Sequence, residues 1–142
     1  MRIMALDLGD KTIGVAVSDE LKITAQGIKT IRRCGMKTDL AELRDLIQEF
    51  EVERVVVGMP RNMNGSYGPA AEKTLAFVEK LRVLDLPVET EDERLTTKIA
   101  EQALIEGNVR REKRRKVIDQ VAATLILQGY LARQGRGAGE EG

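Results

Sequence analysis

The run Val55-Val56-Val57 is apolar at every position and ends in Gly58-Met59-Pro60, and no other stretch constrains the fold as much. A strand with one wet face alternates apolar and polar residues. A strand that does not alternate has to be covered on both faces, as the central strands of parallel sheets are. The chain must therefore place helices on both sides of a sheet. Before the run, Thr38 is expected to cap a helix in which Leu40, Leu43, Ile47 and Phe50 recur in steps of three and four. After it, Pro69 suits the first turn of a second helix carried by Ala71, Leu75, Val78 and Leu81. Pro87 then breaks the chain ahead of a strand from Val88 to Asp92.

The opening of the chain reads differently. Ile3 to Leu8 alternates, Gly9-Asp10-Lys11-Thr12 has turn chemistry, and Ile13, Val15 and Val17 alternate with the small Gly14, Ala16 and Ser18, which is a hairpin. Ile23 to Ile31 is expected to return as a third antiparallel strand, with Gly27 marking a bulge. A third helix is expected at about 96–107 and a last one at about 116–133, where Val117, Ile118, Val121, Ala122, Leu125 and Ile126 leave little polar surface. At 142 residues the chain suits one domain, taken as 1–134, with a disordered tail over 135–142 that holds one alanine among glycines and charges.

Composition decides which chemistries are open. There is no histidine and Cys34 is the one cysteine, so imidazole bases, serine-histidine triads, intramolecular disulfides and the usual zinc sites are closed. Hydrolysis by such a chain falls to carboxylates, lysine or a metal. No apolar run nears the roughly 20 residues that cross a bilayer, and Met1-Arg2-Ile3-Met4-Ala5 enters a strand directly, without a secretory pattern, so a cytoplasmic protein without membrane contact is expected.

Three carboxylates stand where charge is expensive. Asp7 lies in the first strand on the side of Ile3 and Ala5; a turn-capping aspartate at the strand end would read the same way. Asp92-Glu93-Arg94 closes the last strand, and alternation lets only one of its acids face a given side. Glu93 is favoured and Asp92 is the substitute, with solvated strand-end charge as the plain alternative. Asp119 sits among Val117, Ile118, Val121 and Ala122, where a dipole-favoured first-turn aspartate is the rival explanation. Together the acids suit Mg²⁺ or Mn²⁺, which take oxygen ligands, and Asp7, Glu93 and Asp119 are the expected metal ligands. Metal ions of this kind activate water and stabilise charge at a phosphodiester without a protein nucleophile.

Basic residues lie near these acids. Arg110-Arg111-Glu112-Lys113-Arg114-Arg115-Lys116 has six cations in seven residues and leads to Asp119. Contacts from such a segment to phosphates give sequence-independent affinity, although a solvated loop has the same composition. Lys11 and Arg94 are further candidates to hold phosphates, and the loop with Gly58, Pro60, Asn64, Gly65 and Ser66 precedes a helix, where backbone N–H groups bind anions. With two Phe, two Tyr and no Trp, recognition by base stacking is not expected.

The stretch Asp7-Leu8-Gly9-Asp10-Lys11-Thr12-Ile13-Gly14-Val15-Ala16-Val17-Ser18-Asp19 closely resembles the opening hairpin of the YqgF or RuvX family of RNase H-like nucleases. Three further blocks agree in order and spacing: Val57-Gly58-Met59-Pro60 with Asn64-Gly65-Ser66, Asp92-Glu93-Arg94-Leu95-Thr96-Thr97, and Lys116-Val117-Ile118-Asp119 leading to Ala122-Ala123. The resemblance implies an α/β RNase H-like fold, a mixed five-stranded sheet made of an antiparallel three-stranded meander plus two parallel strands, flanked by helices. It implies metal-binding acids at Asp7, at Glu93 or Asp92, and at Asp119. It also implies a nuclease that trims the 5′ end of precursor 16S ribosomal RNA, or else a Holliday-junction resolvase, with ribosomal particles among its partners and a monomeric or homodimeric state. A sugar-kinase-like phosphate loop and a non-catalytic nucleic-acid-binding module of the same fold are the competing readings.

Overall fold

The computed structural model describes residues 1–9, 11–60, 68–92 and 121–134. Alternation along β1 (Arg2–Leu8) sends Met4 and Leu6 to one face of a sheet and Ile3, Ala5 and Asp7 to the other. The Gly9 N–H donates to the Thr12 carbonyl at 2.8 Å, and a Cβ at Gly9 would meet that carbonyl at 3.1 Å, so a glycine fits this turn where a side chain would crowd it. The turn delivers β2 (Thr12–Ser18) antiparallel to β1, with Asp7 opposite Gly14.

The third strand, β3 (Ala25–Arg32), starts two residues later than expected, because Ile23 and Thr24 belong to a turn held by Asp19. The bulge falls where Gly27 predicted it: Ala16 pairs with Gly27 and Val15 with Lys29, leaving Ile28 as the extra residue. Helix α1 (Met36–Glu49) also departs from expectation. Its N-cap position is Gly35, at φ 135°, and Thr38 lies inside the first turn. The positive φ turns the chain sharply out of β3, the Asp39 carboxylate accepts the Cys34 N–H ahead of the helix at 3.0 Å, and no side chain caps the helix itself.

The run that forces coverage on both faces is the centre of β4 (Val52–Met59), which pairs in parallel with β1 and with β5 (Val88–Asp92). Strand order is β3-β2-β1-β4-β5, the mixed five-stranded sheet expected. One face is covered by α1 and by α2 (Pro69–Leu81), whose Leu43, Leu46, Phe77, Val78 and Leu81 pack on Met4, Leu6, Val15, Val55 and Val57. Pro69 is at the first position of α2, as predicted, but Leu75 is 51% exposed and Thr74 and Phe77 are buried in its place. Thr74 can be buried because its hydroxyl donates to the Ala70 carbonyl at 3.0 Å.

The opposite face is covered by the carboxyl-terminal helix, residues 121–134, through Ala123, Ile126, Leu127, Tyr130 and Leu131 against Ile3, Ala5, Ala16 and Val56. The sheet side chains here are small at Ala5 and Ala16, which lets the helix lie close. No helix among the described residues is long and apolar enough to cross a membrane.

Candidate active site at the carboxyl edge of the sheet

Asp7 is the one expected metal ligand whose side chain is described. It is 8% exposed, near the carboxyl end of the central strand, and it is engaged in polar interaction rather than bare. Its surroundings lack bulk: Gly14 faces it from β2, and on β4 Gly58 follows Val57, the partner of Leu6. Burying a carboxylate is costly unless it is used or compensated. Two glycine positions stand beside it at this point of the edge.

β5 ends at the same edge, with Gly58 opposite Glu91 and Met59 opposite Asp92. Glu89 and Glu91 lie on the face of the carboxyl-terminal helix. The Tyr130 hydroxyl donates to Glu89, and Arg133 pairs with Glu91. The direction of this helix follows from its far end, where Tyr130 and Leu131 line a cavity with Ile3 and Arg54 over the amino ends of β1 and β4. Its first described residues, around Val121, therefore lie toward the Asp7 end.

That cavity, about 360 Å³, sits at the end of the sheet remote from Asp7. Its charged groups are matched locally. Lys22 pairs with Glu53, whose carboxyl is held below its usual range chiefly by that bond. Arg54 donates to Tyr130 at 2.8 Å, which raises the guanidinium further. Burial pushes the Tyr130 phenol up, and its bond to Glu89 adds to this. These are structural ties across β4, β5 and the helix, at the end of the sheet away from Asp7.

Lys11 is exposed beside the β1–β2 turn, at that edge, as a phosphate contact requires. Asn64, Gly65, Ser66, Glu93, Arg94, Arg110, Arg111, Lys113, Arg114, Arg115, Lys116 and Asp119 lie outside the described residues, and of Asp92 only the backbone place at the end of β5 is described. Among the described residues no three carboxylate or cysteine groups gather as a metal site. Asp7 alone fits one: an anionic oxygen donor set beside glycines on the edge where β4 and β5 also end.

Sequence reasoning passed over Arg33. Its backbone N–H donates to the Lys11 carbonyl and its Nη1 to the Gly9 carbonyl, both at 2.8 Å. Its Nε lies 3.7 Å from buried Asp39, and the guanidinium stands 5.8 Å from the Phe77 ring centroid. The available signal was the Arg32-Arg33 pair at the end of a strand, next to an apolar helix.

Known proteins bear on this arrangement. The chain is 58% identical over 132 residues to a Desulforamulus reducens protein named "Putative pre-16S rRNA nuclease", covering 92% of this chain and 96% of that one. A Moorella thermoacetica protein of the same name is 58% identical over 137 residues, covering 96% and 98%. Among solved structures, T. thermophilus RuvC in complex with a Holliday junction substrate superposes with a TM-score of 0.57 over 95% of this chain and 96% of that one, at 15% identity. That likeness gives the fold, the RNase H-like α/β architecture. The family model described as "RuvX: Holliday junction resolvase" matches residues 1–133, and the chain belongs to the RuvX family.

Proposed function

We propose that this protein is a metal-dependent nuclease that hydrolyses nucleic-acid phosphodiesters, with the 5′ end of precursor 16S ribosomal RNA as its substrate. The observation that carries the reading is Asp7: a carboxylate buried beside glycines at the carboxyl edge of the central strand, on the face crossed by the helix that follows Asp119. The names of relatives at 58% identity supply the choice of precursor rRNA. Ribosomal particles in the cytoplasm are the setting that this substrate implies.

Asp7, Glu93 and Asp119 are proposed to hold Mg²⁺ or Mn²⁺. Glu93 is preferred to Asp92 because Glu89 and Glu91 lie on the Asp7 face of β5, and alternation carries that parity forward. Asp119 is included because it comes two residues before the described helix 121–134, whose first residues lie toward the Asp7 edge. The bound metal supplies activation of water and charge stabilisation at the phosphodiester. The protein's own groups orient the strand: Lys11 at the turn and, in this reading, Arg94, Asn64, Ser66 and the basic segment Arg110, Arg111, Lys113, Arg114, Arg115 and Lys116, all contacting phosphates or sugars.

The test compares wild type with Asp7→Asn on labelled precursor rRNA, single-stranded DNA and a four-way junction, with Mg²⁺, Mn²⁺ or chelator. Cleavage of the RNA should need the metal and fall in the variant by at least roughly 10²–10³, the loss typical of removing one electrostatic stabiliser. Metal-independent cleavage, or full activity in Asp7→Asn, would reject the site. A junction resolvase is the second reading, favoured by the description of the family model. Preference for the junction over RNA would select it.

A further inference from the structure

A second, smaller cleft opens at the same edge of the sheet, on the face away from Asp7. It is lined by Leu8, Gly9, Arg33, Ala70, Lys73 and Thr74, between the β1–β2 turn and the first two turns of α2. We propose that this cleft seats one non-scissile backbone phosphate of the substrate strand, with Arg33 and Lys73 as its cationic contacts. The proposal rests on the nuclease reading and adds to it a place where the strand is held.

Size narrows the ligand. The cleft has about 40 Å³, and since a site of roughly 10–15 Å³ admits one water, it suits a group the size of a few oxygens. A phosphodiester oxygen cluster fits that volume. Chemistry narrows it further. Arg33 is fixed before any ligand arrives: Nη1 is bound to the Gly9 carbonyl at 2.8 Å, Nε is held toward Asp39 at 3.7 Å, and the plane is set near Phe77. A guanidinium has five N–H donors, so these ties leave donors for another acceptor, and a prefixed fork suits phosphate better than a free one.

Charge agrees in sign. Among the described residues Asp39 is the carboxylate that faces Arg33, and it is 1% exposed, so it offsets one cation from beneath the surface. Lys73 on α2, already engaged in a polar or ionic contact of its own, brings a second cation to the lining. Lys11, whose carbonyl accepts the Arg33 N–H, and Arg32, which pairs with Thr12, are both exposed at the same corner. Position then links the cleft to the chemistry. Leu8 and Gly9 follow Asp7 directly, so a strand crossing the edge of β1 meets Asp7 on one face and this cleft on the other.

The test uses Asp7→Asn protein, so that binding is read without cleavage, and fluorescent single-stranded RNAs of two unrelated sequences. Lys73→Ala in that background should weaken both RNAs several-fold and alike, and should flatten the plot of log affinity against log salt by about 0.7, the change for one lost phosphate contact to a single strand. Lys73→Arg should restore most of both. Lys80→Ala is the control: it removes the same charge from an exposed site on α2 about 10 Å further along the helix. In otherwise wild-type protein, Lys73→Ala should raise KM and leave kcat near its original value. Unchanged affinity and slope in Lys73→Ala, or the same loss in Lys80→Ala, overturns the cleft while leaving the nuclease reading intact. Absence of cleavage by the wild type with metal rejects that reading, and the substrate phosphate with it.

Discussion

Asp19 closes the turn between β2 and β3 by itself. One carboxylate oxygen accepts the Ile23 N–H at 2.7 Å and the Thr24 N–H at 3.0 Å, across a turn in which Lys22 takes φ 61°. The Thr24 bond first and the Ile23 bond second hold the Asp19 carboxyl below the ordinary aspartate range. A group whose folded value is depressed stabilises the fold above its unfolded value, and the contribution is lost as pH falls through the folded one. Asp19→Ala should therefore lower the urea midpoint at neutral pH, and the gap to wild type should close in acid. Urea titrations at several pH values check this, and a gap that persists undiminished in strong acid would mean that the carboxylate's charge is not what holds the turn. The site is open to solvent, so the effect is modest.

Helix α2 shows where element-level reading succeeds and where it stops. Its existence and its start at Pro69 follow from the sequence, because a proline has few other places near a helix. Its rotation does not follow. Ala71, Leu75, Val78 and Leu81 make a plausible apolar stripe, but the sheet selects Ala71, Thr74, Phe77, Val78 and Leu81, and the Thr74 hydroxyl is satisfied by its own helix. Phe77→Ala should accordingly cost about 3–5 kcal/mol, whereas Leu75→Ala should stay within about 0.5 kcal/mol, as measured by denaturant unfolding. Similar costs at both positions would restore the stripe read from sequence. The same contrast holds elsewhere. The bulge at Gly27 and the doubly covered Val55-Val56-Val57 were readable because backbone freedom and the absence of alternation are local signals. The start of α1 was not, since it is set by the positive φ of Gly35 without a side-chain cap. At the site, Asp7 was readable as a charge on an apolar strand face. Arg33 was not, because its meaning depends on Gly9 and Phe77, which are distant in sequence, as well as on nearby Asp39.

At the scale of the whole molecule, 23 basic residues balance 23 acidic ones, so substrate capture depends on where cations gather and not on net charge. The corner with Lys11, Arg32, Arg33 and Lys73 gathers them beside the Asp7 edge. Among the described strands, β3 at one edge is interrupted by its bulge and carries Lys29, and β5 at the other carries Glu89 and Glu91, features that discourage edge-to-edge pairing. A single chain with a single site is sufficient to trim an RNA end. Paired symmetric cuts in a four-way junction need two sites related by a twofold axis. The two readings therefore differ in kinetic order. With precursor rRNA in excess, the initial rate should rise linearly with protein concentration, and sedimentation at the same concentrations should find one chain. A rate that rises with the square of concentration at the dilute end, together with symmetric nicks in a junction, would mean that two chains assemble to cut, and would move the function from RNA processing to junction resolution.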